Sequence, residues 1–209
     1  MDLDLLTTYC EGLCIPQSAL LKELERETNL KTLNPRMISG HLQGTLLHML
    51  VKIHGSKRIL EIGTFTGYAT ISMVSALPDD GELITLEANE ELEFISNKYF
   101  QKAELQDIIT QHFGDAKALI KTVEGIFDLV FIDAGKKDNE YYFEQILPQV
   151  RSGGLILVDN VLWSGKVLDE NMDNHTQIIH DFNVKMSKDP RLESLYLPLR
   201  DGLALFRKK

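Results

Sequence analysis

The segment Arg58-Ile59-Leu60-Glu61-Ile62-Gly63-Thr64-Phe65-Thr66-Gly67-Tyr68 determines the expected fold of this chain. Residues 59–62 are a short apolar run around a single acid, which predicts a strand buried on both faces. Gly63 ends this run, and Gly67 lies near the start of a helix predicted over residues 66–77. A glycine turn between a strand and a helix lets the backbone approach a ligand, because no Cβ intervenes.

A second apolar run, residues 83–86, ends at Glu87. An acid at this place, about 20 residues after the glycine turn, holds the ribose hydroxyls in nucleoside-binding folds. Glu61 stands two residues before Gly63, where a dinucleotide fingerprint has a glycine. An acid there would repel a pyrophosphate but suits a ligand that carries an ammonium group, such as S-adenosylmethionine. The pattern therefore favours a nucleoside site, against the alternative of an ordinary tight turn with a solvated Glu61.

The composition is that of a soluble globular protein, with 44% hydrophobic and 25% charged residues among 209. A net charge of −9 excludes a dominant basic surface for nucleic acid or anionic membranes. The start, Met1-Asp2-Leu3-Asp4, lacks the order of a signal peptide, and no apolar run is long enough to span a bilayer. We therefore expect a cytoplasmic protein in which Cys10 and Cys14 are reduced thiols.

Strand and helix signals alternate from residue 56 to the end of the chain. Strands are predicted over residues 59–62, 83–86, 107–113, 127–133, 155–159, 192–197 and 203–206, and helices over 66–77, 90–101, 141–150 and 176–186. This alternation predicts an α/β fold with a doubly wound, Rossmann-like, seven-stranded and mainly parallel sheet. The short connection at residues 198–202 predicts a C-terminal antiparallel hairpin. We expect a single domain, with residues 1–55 as N-terminal capping helices and residues 56–209 as the core.

Acids follow two of the later predicted strands. Asp133 ends the run 127–133, and Asp159 ends the run 155–159 and is followed by Asn160. Ligands of such sheets bind beyond the carboxyl ends of the strands. Two carboxylates and an amide oxygen are the hard-oxygen ligands that Mg²⁺ prefers, with Mn²⁺ or Ca²⁺ as alternatives. An aspartate after a strand is also a common turn or helix-cap residue, but two of them together favour a metal site.

Lys136 lies three residues after Asp133 and can reach the same site. A lysine beside a divalent cation has a lowered pKa and could act as a general base. Its neighbour Lys137 fits a solvated surface charge, and the sequence alone does not separate the two.

Four motifs carry a resemblance to a known family: residues 61–68 (EIGTFTGY), 131–136 (FIDAGK), 153–163 (GGLILVDNVLW) and 201–203 (DGL). With these motifs in this order, the chain resembles the class I S-adenosylmethionine-dependent, divalent-cation-dependent O-methyltransferases of the caffeoyl-CoA and catechol type, as a bacterial-type member. The similarity runs from about residue 20 to residue 206.

The resemblance implies roles for individual residues. Glu87 would hold the ribose, Asp115 and Ala116 would border the adenine, and Lys136 with Asp133 would be the catalytic residues. Ala69 replaces the serine usual in the family, and Ser164 replaces the asparagine frequent in plant members, which argues against caffeoyl-CoA as acceptor. The implied cofactor-binding residues are Ser39, Glu61, Gly63, Thr64, Ala69, Glu87, Asp115, Ala116 and Asp133, the metal ligands Asp133, Asp159 and Asn160, and the substrate contacts Lys136, Trp163 and Ser164.

The expected activity is methyl transfer from S-adenosylmethionine to a hydroxyl of a catechol-like small molecule, carried out by a homodimer. Methylation of a hydroxyuridine in tRNA is an alternative within the same family, although the net charge of −9 argues mildly against it. A nicotinamide-dependent dehydrogenase is disfavoured by the missing third glycine and by Glu61. A non-catalytic cofactor-binding scaffold is disfavoured by the complete set of Asp133, Lys136, Asp159 and Asn160.

Overall fold

The computed structural model describes residues 3–209, with side chains from residue 5 onward. The chain forms two compact units, each built from several segments. The first unit contains the described residues up to Lys57 together with Thr64–Leu83 and Asn89–Gln111, and the second contains Arg58–Gly63, Ile84–Ala88 and His112–Lys209.

The described helices begin before the first strand and then alternate with strands. They are α1 (Leu3–Leu13), α2 (Ala19–Lys31), α3 (Gly40–His54), α4 (Tyr68–Val74), α5 (Glu93–Lys102), α6 (Ala116–Leu119), α7 (Asn139–Ile146) and α8 (Asn174–Ser187). Short 3₁₀ turns lie at Pro35–Met37, Glu90–Leu92, Lys136–Asp138, Leu147–Gln149 and Trp163–Leu168.

Seven strands form one sheet: β1 (Arg58–Ile62), β2 (Glu82–Glu87), β3 (Ile109–Phe113), β4 (Phe127–Ile132), β5 (Val150–Asp159), β6 (Leu192–Leu197) and β7 (Leu203–Lys208). Their order in the sheet is β3-β2-β1-β4-β5-β7-β6. β4 is parallel to both β1 and β5, whereas β7 is antiparallel to β5 and to β6. The predicted mainly parallel sheet with a C-terminal antiparallel hairpin is thereby confirmed.

In the first unit, residues before β1 bond to the residues that follow the glycine turn. Thr28 on α2 donates from its hydroxyl to Thr66 over 2.9 Å, and both side chains are fully buried. Gln17 donates to the hydroxyl of Tyr68, the first residue of α4, over 2.8 Å. A buried hydroxyl pair is costly to separate, so these contacts hold the entry to α4 against the N-terminal helices.

The core of the second unit lies on the central strands and on α7 and α8. The apolar residues of β1 and β4 are fully buried because both strands have neighbours on either side and are covered on both faces. Phe143 of α7, Phe182 of α8 and Phe206 of β7 pack edge to face at ring distances of 5.4–6.4 Å. This packing fixes both helices against β7, the strand that pairs with β5.

One helix ends earlier in the structure than the sequence predicts. The sequence predicts a helix over residues 141–150, but α7 ends at Ile146 and Val150 already belongs to β5. The reason is Pro148, which lies in the 3₁₀ turn Leu147–Gln149 and lacks the backbone donor that would continue the helix. β5 then begins before a register shift, in which Phe127 pairs with Val150 but Leu129 pairs with Leu155. Gly153, at a φ of 78°, lies within this irregularity, so the glycine pair interrupts the pairing without ending the strand.

Within residues 3–209, every helix is too short or too polar to cross a membrane.

Candidate functional site

The carboxyl ends of β1, β4 and β5 lie side by side in the second unit. Ile62 is in register with Ile132, and Ile132 is in register with Val158. Parallel neighbours lie about 4.8 Å apart, so the residues that follow these positions share one edge of the sheet. The structure thus places Asp133 directly beside Asp159.

Gly63 lies where β1 ends and comes very close to β4. It has a φ of 102°, and a Cβ added to it would be 2.7 Å from the carbonyl carbon of Asp133. Its amide donates to the carbonyl of Leu86 over 2.8 Å, and the amide of Asp133 donates to Ile62 over 2.8 Å. Only a glycine fits this backbone approach, which fixes Gly63 between two strand ends.

Glu61 is a fully buried carboxylate inside β1. Its Oε2 accepts a 2.6 Å hydrogen bond from the hydroxyl of Thr85, a buried residue of β2. A buried charge without such a bond would be strongly unfavourable. Thr85 therefore holds Glu61 in one orientation, and the sequence prediction that assigned Glu61 to a ligand had not identified this partner.

Glu87, Asp115 and Ala116 also lie in the second unit. Glu87 is 8% exposed, and its carbonyl accepts from the amide of Gly114 over 2.9 Å. Asp115 is exposed and caps α6 by accepting from the amide of Lys117 over 2.7 Å. Ala116 begins α6 and is buried. The backbone contact through Gly114 brings the start of α6 to the end of β2.

Three predicted cofactor residues belong to the first unit. Ser39 and Thr64 are 5% and 3% exposed, and Ala69 is 4% exposed within α4. Thr64 accepts a 2.9 Å hydrogen bond at its carbonyl from the amide of Gly67, which closes the turn before α4. Thr64 lies in the turn after β1, Ala69 lies in α4, and Ser39 directly precedes α3.

Asp133 and Asp159 are two nearby carboxylates, of which Asp159 is 3% exposed. Burial raises the pKa of Asp133 to about 6, Lys136 opposes the rise, and the negative charge of Asp159 adds to it. Lys136 donates to Oδ1 of Asp133 over 2.6 Å, with only 11% of its side chain exposed. Lys137 is exposed, so the structure separates the two lysines: Lys136 is the one at the acids.

The residues after β5 adopt unusual backbone conformations. Asn160, Trp163 and Ser164 have φ values of 59°, 48° and 53°, a region that residues other than glycine rarely adopt. The amide of Asn160 donates to Oδ1 of Asp159 over 2.8 Å. Ser164 is exposed, and its amide donates to the carboxylate of Asp201. The strained loop is therefore held by the two acids that flank it, which is typical of a functional segment.

Trp163 packs against a histidine that sequence reasoning had not assigned to the site. The rings of Trp163 and His175 lie 4.5 Å apart at an interplanar angle of 33°. His175 is near the start of α8, so this stack connects the loop after β5 to that helix. The spacing along the chain gave no signal for the pair.

The donor chemistry at the strand ends fits a divalent cation. Two carboxylates and the side-chain oxygen of Asn160 are hard ligands, and a cation would offset the repulsion between the two carboxylates. Among the described residues, no three His, Cys, Asp or Glu side chains form a metal-binding group. A site here would consequently depend on the asparagine as its third protein ligand, as the sequence predicted.

A family model and the curated relatives of this chain both indicate O-methyltransferases. A family model described as O-methyltransferase matches residues 12–209. Caffeoyl-CoA O-methyltransferase 1 of Eucalyptus globulus is 34% identical over 200 residues, which cover 90% of this chain and 81% of that enzyme. Tricin synthase 2 of Oryza sativa is 32% identical over 185 residues, which cover 82% of this chain and 63% of that protein.

Solved structures agree with this comparison. An SAH-bound methyltransferase of Podospora anserina is 30% identical with a TM-score of 0.90, covering 99% of this chain and 95% of that one. The O-methyltransferase of Bacillus cereus in complex with SAH is 32% identical with a TM-score of 0.89, covering 97% and 96% of the two chains. The chain therefore belongs to the O-methyltransferase family of enzymes.

Proposed function

We propose that this enzyme transfers a methyl group from S-adenosylmethionine to one hydroxyl of a small molecule with two adjacent hydroxyl groups, at a divalent cation held by Asp133, Asp159 and Asn160. The observation that carries the proposal is the pair of carboxylates at neighbouring strand ends, with Lys136 bonded to one of them. Two adjacent hydroxyls match such a site because both oxygens can approach one cation.

The cofactor half of the proposal rests on the second unit. Glu61 and Glu87 are both buried acids beside the turn at Gly63. A ribose diol offers two donors to a carboxylate at Glu87, and an ammonium group offers donors near Glu61. The SAH named in the two structural relatives has the same adenosine and amino-acid parts as S-adenosylmethionine.

The residues of this chain would mainly position the reactants and balance their charge. A divalent cation, when bound, would supply positive charge that favours ionisation of a nearby hydroxyl. Asp133 and Asp159 would fix the hydroxyls of the acceptor relative to the cofactor, because both lie at the ends of rigid strands. Lys136 would accept the proton as a neutral amine, so the ammonium that donates to Asp133 over 2.6 Å must first lose a proton to solvent.

A second acceptor class remains within the same chemistry. A hydroxyuridine of tRNA would present an oxygen to the same residues, but the net charge of −9 opposes the approach of a polyanion. We therefore propose the small molecule as the acceptor and keep tRNA as the second candidate.

The test combines metal removal with one substitution. Purified enzyme is assayed with labelled S-adenosylmethionine and a panel of catechols, and with bulk tRNA in parallel. EDTA should abolish turnover of a catechol and added Mg²⁺ should restore it. Asp159→Asn should lower kcat/KM at least 100-fold, about 2.8 kcal/mol, while calorimetric binding of S-adenosylhomocysteine stays within a factor of three.

Asp79→Asn is the matched control, because Asp79 is an exposed acid in the turn before β2 and should change nothing. Full activity in EDTA, or in Asp159→Asn, would show that these acids are only turn residues. Methylation of tRNA without methylation of any catechol would replace the proposed acceptor and leave the cofactor half intact.

A further inference from the structure

The turn between β6 and β7, residues 198–202, lies at the same edge of the sheet as the acids. Asp159 is in register with Leu203, the first residue of β7. The amide of Leu162 donates to the carbonyl of Asp201 over 2.9 Å, beside the contact between Asp201 and Ser164. The turn is therefore fixed against the loop that follows Asp159.

Gly202 shows how close this approach is. A Cβ added to it would lie 2.9 Å from the backbone nitrogen of Leu162, and its carbonyl accepts from the amide of Val161 over 3.2 Å. Because backbone meets backbone on both sides, the turn cannot move away from the acids without breaking these bonds. Its side chains consequently have a defined position relative to the site.

Arg200 is the cation that this turn presents. It is exposed and has a φ of 52°, a backbone conformation that residues other than glycine rarely adopt. Burial is the main cause of the raised pKa of Asp133, and the Arg200 guanidinium is among the charges that oppose the rise. The guanidinium thus acts across space on the acids although it remains open to solvent.

Lys136 lies deeper in the site, where 11% of its side chain is exposed and it donates to Asp133. The two acids, in a chain of net charge −9, would repel an acceptor that carries its own negative charge. A guanidinium offers a planar fork of donors that matches a carboxylate, and at the exposed rim of the site it can compensate for that repulsion.

We propose that Arg200 is a specificity-determining residue that binds the carboxylate of the acceptor, so that the enzyme prefers dihydroxy acids to neutral dihydroxy compounds. The proposal rests on the proposed function, since it extends the acceptor site from Asp133 and Asp159 to the turn at residues 198–202. It names the class of acceptor: a vicinal diol on a small framework that ends in a carboxylate.

The experiment compares acids with amides of the same shape. Wild-type kcat/KM is measured for 3,4-dihydroxybenzoate and 3,4-dihydroxybenzamide, and for 3,4-dihydroxycinnamate and its amide, which place the charge at two distances. In Arg200→Gln, the preferred acid should lose at least tenfold in kcat/KM, about 1.4 kcal/mol, while its amide loses less than twofold. Arg200→Lys should recover part of the loss, because it keeps the charge without the fork.

Arg207→Gln is the control, because it removes the same charge from the end of β7 that lies away from Asp159. This variant should change kcat/KM only slightly, and by the same factor for the acid and for its amide. Equal losses for acid and amide in Arg200→Gln, or no loss for either acid, would overturn the proposal.

A separate readout distinguishes this failure from failure of the proposed function. If wild-type enzyme methylates none of the four compounds, the proposed acceptor is wrong. Binding of the two acids in the presence of Mg²⁺ and S-adenosylhomocysteine is then measured by calorimetry. Binding that weakens tenfold in Arg200→Gln would still support the role of Arg200, whereas unchanged binding, or none to the wild type, would overturn it.

Discussion

Replacing Gly63 with alanine tests the central geometric statement about the site. The new Cβ would lie 2.7 Å from the carbonyl carbon of Asp133, closer still to its oxygen, and 3.2 Å from the backbone nitrogen of Ala134. All three are backbone atoms at the end of β4, so no side-chain rotation can relieve the contact. β1 and β4 must separate at the edge where Asp133 begins.

The magnitude can be worked from three contributions. An alanine at the φ of 102° costs about 1–2 kcal/mol. Forcing extra volume into a packed site costs about 1–3 kcal/mol. Separating the strands weakens the 2.8 Å bond from the amide of Asp133 to Ile62, for about 1 kcal/mol. We expect a loss of about 3–6 kcal/mol, a large part of the roughly 5–15 kcal/mol that stabilises an ordinary domain.

The matched control is Gly55→Ala. Gly55 has a φ of 68°, and a Cβ there would meet nothing within 4 Å, so only the conformational cost of about 1–2 kcal/mol applies. Urea unfolding of both variants and of the wild type gives the difference directly. If Gly63→Ala and Gly55→Ala lose the same free energy of unfolding, the close approach of β1 to Asp133 is not real and the site geometry derived from it fails.

Two further predictions concern stability and assembly. Hydrogen bonds from Lys31 and Lys98 hold the pKa of Glu27 at about 2, below its ordinary 4.5, so this carboxylate stabilises the fold above pH 4.5 and loses that effect as the pH falls towards 2. Glu27→Gln should lower the free energy of unfolding by about 2 kcal/mol at pH 7, and by much less near pH 3; urea titrations that give the same difference at both pH values would contradict this. We also expect a homodimer, because Leu5, Tyr9 and Leu13 recur at helical spacing on α1 and are 69%, 67% and 71% exposed. Light scattering should give twice 23.7 kDa, and a mass of 23.7 kDa at every concentration would refute the dimer.

The acids of the site could be predicted because their positions follow from local patterns. A buried run that ends in an acid predicts where that acid lies, since parallel strands bring their carboxyl ends to one edge. Asp133 directly follows β4 and Asp159 ends β5, one residue after the pair of Ile132 and Val158. The glycine turn was predictable for the same reason, although α4 starts at Tyr68 and ends at Val74 rather than covering residues 66–77.

The side chains that contact Glu61 and Trp163 could not be predicted in the same way. Thr85 holds Glu61 across two strands, and the only signal was a polar residue inside each of two buried apolar runs. His175 stacks on Trp163 through the start of α8, a contact that depends on how the helix packs. Such contacts are fixed by tertiary packing, which a single sequence does not encode in its spacing.

The loop that follows Asp159 depends on a feature of topology that the sequence left open. A C-terminal hairpin is predictable from its short connection, but the connection does not tell which strand of the hairpin pairs with β5. In the structure β7 takes this place and β6 lies outside it. With the opposite order, the start of β7 would be one strand spacing, about 4.8 Å, farther from Asp159. Asp201 and Gly202, whose carbonyls accept from the amides of Leu162 and Val161, would move away with it, and the loop after β5 would lose these contacts. The position of β7 is therefore what holds the hairpin turn against the loop that follows Asp159, and through it strand order fixes the backbone at this edge of the site.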